Sequence, residues 1–179
     1  ISDHGIAMPG AKTTLYEGGM RSPCLVRNPY LNKRGIATDA MVSWVDLTPT
    51  ILEFAGVLDA KGKLSSTVAE SLRKTGIAGE QNGRQLTVGK FHGRSFLPVL
   101  DQEKAKDWDE VYASHTFHEI TMYYPMRVVI AGRYKYIFNI AHQLPYPFAS
   151  DLYASPTWQG VLKRGDTLYG KRTVYSYLH

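Results

Sequence analysis

The strongest periodic pattern of apolar residues lies in residues 40–56 and predicts a helix. Its apolar positions recur at helical spacing: Ile51, Leu52, Phe54 and Ala55. Pro49 falls in the predicted first turn, where proline is favoured, and Gly56 supplies a stop signal. Asp46 is the predicted N-cap, because a carboxylate can accept a hydrogen bond from a free backbone N–H. A catalytic role for Asp46 is the alternative interpretation.

Residues 111–140 alternate with a period of two instead, and this pattern predicts a small antiparallel sheet of three or four strands. The predicted strands occupy three segments: 111–116, 126–131 and 134–140. Gly132-Arg133 lies between the last two segments and is a typical hairpin turn signal. The short turns imply that neighbouring strands in the sequence are also neighbours in the sheet.

Two further local elements are predicted. Residues 159–163 carry a brief helical pattern, with Ser155 as the N-cap and Pro156 as the first helical residue. Residues 22–27 form a short apolar run that suits a buried strand. Cys24 within this run is the one cysteine of the chain, so no intrachain disulfide can form, and we expect it to be a buried small hydrophobe.

Glycine and polar residues mark the connecting segments. Residues 1–21 have the composition of a long loop, and residues 59–92 have that of an insertion or surface loop. One or two amphipathic helical turns are predicted inside this insertion at Ser66–Lys74. The charged stretch after residue 100 and the change of periodicity then predict a division into residues 1–100 and residues 101–179.

The composition limits the class of protein. With 44% hydrophobic and 21% charged residues, the 179-residue chain is typical of a globular protein, not of a disordered tail, a collagen-like fibre or a coiled coil. The sequence contains no run of about 18 apolar residues, so it does not predict a membrane span. The net charge of +5 suits a polyanionic ligand such as nucleic acid, a sulfated sugar or an acidic lipid. The basic residues are scattered, so a solvated basic surface is the alternative.

Chemistry-bearing residues stand close together near the N-terminus. Asp3 and His4 form a carboxylate–imidazole pair that could bind a metal at the end of a strand. Lys12 offers a compact ammonium with three donors for an oxyanion. Gly18 and Gly19 would permit a close approach of the backbone. For Lys12, a solvated side chain in a loop is the alternative interpretation.

A second group of such residues follows the first predicted strand. His115 and His118 are three residues apart, so a strand would direct them to opposite faces, and they are poor partners for one metal. His118 and Glu119 are adjacent at a predicted strand end. They could form the wall of a polar pocket, or His118 could be a structural histidine.

Several motifs together resemble the sulfatase family. Residues 2–5 (SDHG), Lys12 and residues 16–23 (YEGGMRSP) are similar to one block of that family. Residues 42–56 resemble the helix with the motif D-L-x-P-T that follows this block, and residues 93–98 (GRSFLP) resemble a later segment. Eight matching positions in one short block make the resemblance specific.

The second half of the chain is similar to the heparan N-sulfatase (sulfamidase) branch of that family. Three stretches carry this similarity: 118–127, 144–147 and 153–159. The resemblance therefore covers nearly the whole chain, residues 59–92 excepted. It implies hydrolysis of sulfate esters or N-sulfate, with glucosamine residues of heparan-like glycosaminoglycans as the expected substrate.

The resemblance also implies a fold and a nucleophile. Sulfatases share an alkaline-phosphatase-like α/β fold, to which residues 1–100 would contribute, followed by a small antiparallel sheet subdomain, here residues 101–179. Their nucleophile is a formylglycine made from Cys or Ser in the motif C/S-x-P-x-R, which this sequence lacks. Cys24 lies in the wrong block and is not catalytic. We expect the formylglycine upstream of Ile1, so that the chain is an incomplete, C-terminal portion and inactive by itself.

Site residues are implied by their match to the motifs. Asp3 and His4 would bind the metal, which in the family is calcium, although an imidazole at His4 suits manganese or zinc better. Lys12 would bind the sulfate, and His118 and Glu119 would line the sugar pocket. The implied partner is a sulfated sugar, with no nucleic acid and no membrane. The implied location is periplasmic, secreted or lysosomal.

Two alternatives remain open. A phosphodiesterase or phosphonate hydrolase of the alkaline phosphatase superfamily would fit the Asp-His pair at the metal site. A non-catalytic polyanion-binding module would fit the net charge of +5.

Overall fold

The computed structural model describes residues 1–2, 7–75, 90–119, 123–144, 146–169 and 172–173. The chain forms two compact units. The first unit comprises residues 1–27 and 110–179, and the second unit comprises residues 28–109. The end of the second unit lies near the predicted boundary. The N-terminal 27 residues, however, group with the C-terminal strands, because Leu15 and Met20 pack on the sheet that those strands form.

The first unit contains short helices and the five described strands, whereas the second unit contains helices and 3₁₀ turns. The α-helices are α1 (Glu17–Met20), α2 (Leu47–Phe54), α3 (Ser66–Lys74), α4 (Ser150–Tyr153) and α5 (Pro156–Arg164). Single 3₁₀ turns span Trp44–Asp46 and Leu97–Val99. The strands are β1 (Glu110–Phe117), β2 (Tyr123–Ala131), β3 (Tyr134–Asn139), β4 (Leu168–Tyr169) and β5 (Arg172–Thr173).

The predicted antiparallel sheet is confirmed in the first unit. Strands β1, β2 and β3 pair in sequence order, and Gly132 turns the second hairpin with a φ of +53°. Strand β2 begins at Tyr123, three residues before the predicted start. One face of the sheet buries Tyr124, Met126 and Val128 against Leu15. The alternating pattern thus reflects one packed face and one exposed face.

The C-terminal helical segment also follows its prediction. The hydroxyl of Ser155 accepts a hydrogen bond from the N–H of Trp158 at 3.2 Å, and Pro156 is the first residue of α5. Gly165 ends the helix in the left-handed conformation. The fully buried indole of Trp158 stacks on Phe148, with 4.9 Å between the ring centroids. This stacking fixes the segment that leads into α4.

In the second unit, buried polar groups join two segments that the sequence separates. The hydroxyl of Thr50 in α2 donates to the carbonyl of Asp46 at 2.6 Å and accepts from the N–H of Phe96 at 3.0 Å. The Asp46 carboxylate accepts from the N–H groups of Ser43 and Arg94, each at 2.8 Å. Phe96 then packs with Val99 and Trp108 in the core of this unit.

This network corrects part of the prediction for Asp46, which occupies the N-cap position of α2 as expected. The residue precedes α2, but its side chain makes no capping bond to that helix. Its carboxylate serves Ser43 and Arg94 instead, because its backbone is already helical and directs the side chain away from the first turn. Helix α3 confirms the helical prediction at Ser66–Lys74, with Ser65 as its N-cap.

The predicted buried strand at residues 22–27 is wrong. The segment has no regular secondary structure, Cys24 is exposed, and Leu25 is 91% exposed. No strand pairs with this segment among the residues that the structure describes. An apolar run forms a strand only where a neighbouring strand can pair with its backbone N–H and C=O groups. The sequence of the run does not show whether such a neighbour exists. Within the predicted loop of residues 1–21, the structure adds the single-turn helix α1.

Candidate functional site

The loop that carries Lys12 is a set of tight turns in the first unit. The N–H of Ala11 donates to the carbonyl of Met8, and the N–H of Thr14 donates to the carbonyl of Ala11, each at 3.0 Å. The hydroxyl of Thr14 also donates to Ala11, at 2.7 Å. Thr13 has a φ of +68°, a strained conformation for a β-branched residue. Ala11 and Thr14 are buried, so the backbone on both sides of Lys12 is held in place.

The glycine pair of α1 makes this loop possible. A Cβ atom on Gly19 would lie 2.3 Å from the carbonyl oxygens of both Ala11 and Thr14, and 2.9 Å from the Thr14 hydroxyl. A Cβ atom on Gly18 would lie 3.1 Å from that of Ala11. The close backbone approach that the sequence suggests therefore occurs between α1 and the Lys12 loop.

Tyr146 anchors the same loop from the segment before α4. Its phenol donates a hydrogen bond to the carbonyl of Thr13 at 2.8 Å and lies 3.0 Å from the Thr13 hydroxyl. Its ring packs edge-on against Tyr124 and Phe148. Burial of the phenol raises the pKa of Tyr146 above its usual value, although the Thr13 hydrogen bond acts in the opposite direction. The sequence gives one signal for this residue, its place in the stretch 144–147.

Lys12 forms an ion pair with Asp151, the second residue of α4. The Lys12 side chain is only 14% exposed, whereas that of Asp151 is 49% exposed. Asp151 also accepts a hydrogen bond from the N–H of Leu152 at 2.9 Å. The hydrogen bond from Lys12 is the main reason that the pKa of Asp151 lies below its usual value, and the Leu152 N–H and the charge of His118 add to it. No pattern in the sequence indicates a role for Asp151.

Glu119 reaches the same helix from the end of β1. Its carboxylate accepts hydrogen bonds from the hydroxyl of Ser150 at 2.8 Å and from the N–H of Ser150 at 3.2 Å. The Nε2 atom of His118 lies 4.0 Å from the Glu119 carboxylate. Glu119 has a φ of +61°, so this turn is another strained backbone position. His115 has a different environment, since its Nδ1 lies 3.2 Å from the carbonyl oxygen of Tyr124.

We call the resulting group the α4 cluster; it consists of Lys12, His118, Glu119, Ser150 and Asp151. It combines a mostly buried cation, two half-exposed carboxylates, an imidazole and a hydroxyl. The cation can bind an anionic group, and the carboxylates can accept hydrogen bonds from hydroxyl or amino groups. The structure thus brings together Lys12, His118 and Glu119. These three predicted site residues come from two segments that are far apart in the sequence.

Asp3 and His4, the predicted metal ligands, lie outside the residues that the structure describes. Within the described ranges, no group of three or more His, Cys, Asp or Glu residues could hold a metal ion. In the same ranges, no helix has the length and apolar character needed to cross a membrane.

Comparison with known proteins gives the family of the chain. Residues 1–57 match the family model described as Sulfatase. Together with the relatives below, this match shows that the chain belongs to the sulfatase family.

Particular relatives show how far the similarity extends. The chain is 37% identical to human N-sulphoglucosamine sulphohydrolase over 164 residues, which are 91% of this chain and 28% of the relative. It is 26% identical to an ulvan-active sulfatase from Formosa agariphila over 140 residues, which are 77% of this chain and 22% of that relative. The chain therefore spans less than a third of the length of either sulfatase.

Proposed function

We propose that this chain is part of a sulfatase that removes sulfate from glucosamine residues of heparan-like glycosaminoglycans. In this proposal Lys12 binds the sulfate, while His118 and Glu119 contact the sugar. One observation carries it: the turns around Lys12 and the end of β1 meet at α4, although Lys12 and His118 are 106 positions apart in the sequence. The name of the human relative, N-sulphoglucosamine sulphohydrolase, supports N-sulfated glucosamine as the substrate.

Lys12 would act on the sulfate through its charge. A sulfate or sulfamate group carries negative charge on its oxygens, and this charge grows on the leaving nitrogen or oxygen as the bond to sulfur breaks. A fixed ammonium in a partly dry site stabilises such charge; comparable oxyanion donors contribute about 2.7–4 kcal/mol to the transition state. The buried residues on both sides of Lys12 hold the backbone from which its side chain extends.

Glu119 and His118 would provide sugar recognition. The Glu119 carboxylate already accepts hydrogen bonds from Ser150, so its orientation is fixed before a sugar binds. Its remaining lone pairs can accept a hydrogen bond from a hydroxyl or amino group of glucosamine. The imidazole of His118 lies beside it and can donate or accept. A contact of this kind distinguishes a sugar sulfate from a simple sulfate ion.

A divalent metal and a formylglycine complete the proposed enzyme, which would have the alkaline-phosphatase-like α/β fold. Asp3 offers the oxygen ligand that calcium prefers, whereas the imidazole of His4 fits manganese or zinc better. The formylglycine supplies the nucleophile and would come from a motif outside this sequence. In the complete enzyme we expect Asp3→Ala to lower metal content and His4→Asn to change the preferred metal. Metal analysis that finds the same ion and occupancy in all three proteins would contradict this assignment.

Ligand binding to the 179-residue chain tests the proposal without requiring turnover. Calorimetric titration with N-sulfoglucosamine should show binding that Lys12→Met weakens by about tenfold or more, because the charge-assisted contact is lost. Lys163→Met is the matched control, since Lys163 is exposed in the last turn of α5. Equal affinity for the Lys12→Met variant and the wild type would refute the role of Lys12.

A second pair of variants tests the sugar contact. Glu119→Gln should weaken N-sulfoglucosamine binding by about ten- to a hundredfold but change inorganic sulfate binding by less than about threefold, because sulfate has no sugar group for Glu119 to bind. Glu110→Gln, an exposed position at the start of β1, is the control.

Tighter binding of inorganic phosphate than of sulfate would favour the phosphodiesterase alternative. Binding of heparin that depends on Lys163 but not on Lys12 would favour a polyanion-binding module.

A further inference from the structure

Two mostly buried lysines of the first unit, Lys12 and Lys135, differ in the groups that contact their ammonium. Lys135 pairs with Glu17, and its ammonium also donates to the carbonyl of Leu15 at 3.2 Å and lies 3.9 Å from the sulfur of Met20. Lys12 donates to Asp151, and among the described residues this is its one hydrogen bond. The exposed fractions of the two lysine side chains are nearly equal, 14% for Lys12 and 18% for Lys135.

The ion pair of Lys12 is asymmetric. Only 14% of the Lys12 side chain is exposed, so its ammonium is less hydrated than that of a surface lysine, and a nearby counter-charge stabilises it. The Asp151 carboxylate is half exposed, so water can solvate it if it leaves the ammonium. Its second oxygen keeps the hydrogen bond to the N–H of Leu152 in either case. Replacement of Asp151 by another anion at the Lys12 ammonium therefore costs little free energy for the Asp151 carboxylate, because that carboxylate becomes hydrated.

We propose that Asp151 is an internal counter-ion of Lys12 that an incoming sulfate group displaces. This inference rests on the proposed role of Lys12 in sulfate binding. The carboxylate of Asp151 takes up the place on the ammonium that a sulfate oxygen needs, so the two anions compete. Asp151 thereby keeps the buried cation neutralised when no sulfate is bound, and it lowers the affinity for any free anion.

The test is a titration of the 179-residue chain with sodium sulfate at constant ionic strength, followed by nuclear magnetic resonance of the backbone amides around Lys12. Asp151→Asn removes the competing charge and keeps an oxygen that can accept from Leu152. We expect it to bind sulfate about three- to tenfold more tightly than the wild type. Asp151→Ser should show the same direction, and it serves as a second variant if Asp151→Asn does not fold.

Glu17→Gln is the matched control, because it makes the same change in charge beside the other buried lysine. Lys135 keeps its bond to the Leu15 carbonyl, so we expect sulfate affinity within about twofold of the wild type. The double variant Lys12→Met/Asp151→Asn should lose the gain completely.

The outcomes separate this inference from the proposed function. Weaker or unchanged sulfate binding in Asp151→Asn and Asp151→Ser would overturn the inference, and Asp151 would then be a positioning residue for Lys12. An equal gain in Glu17→Gln, or a gain that persists in the double variant, would also overturn it, since net charge alone would explain the effect. If Lys12→Met binds sulfate as well as the wild type does, the role of Lys12 itself fails.

Discussion

The phenol of Tyr146 donates a hydrogen bond to the carbonyl of Thr13 at 2.8 Å, across 133 positions of the sequence. Thr13 has a φ of +68° and directly follows Lys12. A β-branched residue keeps this conformation only where its surroundings hold it. The hydrogen bond therefore connects the segment before α4 to the loop that presents the cation of the site.

Tyr146→Phe should loosen this loop. Loss of one half-buried neutral hydrogen bond lowers the free energy of unfolding by about 1 kcal/mol, and the carbonyl of Thr13 loses its partner. We also expect weaker sulfate binding, because Lys12 is no longer held in place. Chemical denaturation and sulfate titration measure the two effects. Tyr136→Phe, at an exposed position of β3, is the control and should change neither. Unchanged stability in Tyr146→Phe would show that the hydrogen bond does not anchor the loop.

The same phenol predicts a change of stability at alkaline pH. Burial raises the pKa of Tyr146 in the folded state above the value of about 10 expected for the unfolded chain. The associated stability is fully present below pH 10 and is lost as the pH rises through the folded-state pKa. The difference in unfolding free energy between wild type and Tyr146→Phe should thus be constant below pH 10 and shrink above it. A difference that grows with pH would contradict the direction of the shift.

Asp46→Asn should destabilise the second unit, although the two side chains have nearly the same shape. Each oxygen of the Asp46 carboxylate accepts a backbone N–H, one from Ser43 and one from Arg94. An amide has a single oxygen, so its NH₂ group would face one of these donors. We expect a loss of about 1.5–3 kcal/mol in the free energy of unfolding, since a buried charge-assisted bond is replaced by two opposed donors. Asp101→Asn, outside this network, is the control. Stability equal to the wild type would show that the network does not hold the two segments together.

Gly19→Ala tests whether α1 must approach the Lys12 loop this closely. The added methyl would lie 2.3 Å from two carbonyl oxygens of the backbone, so the loop or the helix has to move. We expect a loss of about 1–3 kcal/mol in the free energy of unfolding and weaker sulfate binding. Gly160→Ala is the control, because Gly160 also lies in a helix without a positive φ and its added methyl would meet only the guanidinium end of Arg164, at 3.1 Å. Equal losses in the two variants would remove the steric argument for Gly19.

The sequence predicts the local elements better than the contacts between them. Strands β1 to β3 and helix α5 follow from alternating and helical patterns, because the burial of one face produces a regular spacing of apolar residues along the sequence. Asp151 has no such pattern: its partner Lys12 is 139 positions away, and either residue alone resembles a solvated charge. Asp46 was assigned to the nearest helix for the same reason, whereas its partner Arg94 lies 48 positions further on.

The solvent exposure of individual side chains is also hard to predict from the local sequence. The apolar run at residues 22–27 predicted a buried strand, yet Leu25 is 91% exposed. Lys12 shows the opposite case, since a lysine in a glycine-rich loop is expected in water, but its side chain is mostly buried. In both cases burial depends on which distant segment covers the residue. The predicted roles of Lys12, His118 and Glu119 rest on the resemblance to a family, and the structure shows that these three residues lie around α4.

The 179-residue chain should bind sulfated ligands without hydrolysing them. Its sequence contains no C/S-x-P-x-R motif, the source of the formylglycine nucleophile in the sulfatases that it resembles. A bound sulfate would therefore meet the cation of Lys12 but no formylglycine to attack sulfur. Release of sulfate from N-sulfoglucosamine and from an aryl sulfate, measured with the purified chain, should equal the buffer background. Lys12→Met purified in parallel controls for contamination, because a contaminating sulfatase gives the same rate in both preparations. Turnover that falls when Lys12 is replaced would contradict the prediction, since the chain would then supply a nucleophile of its own.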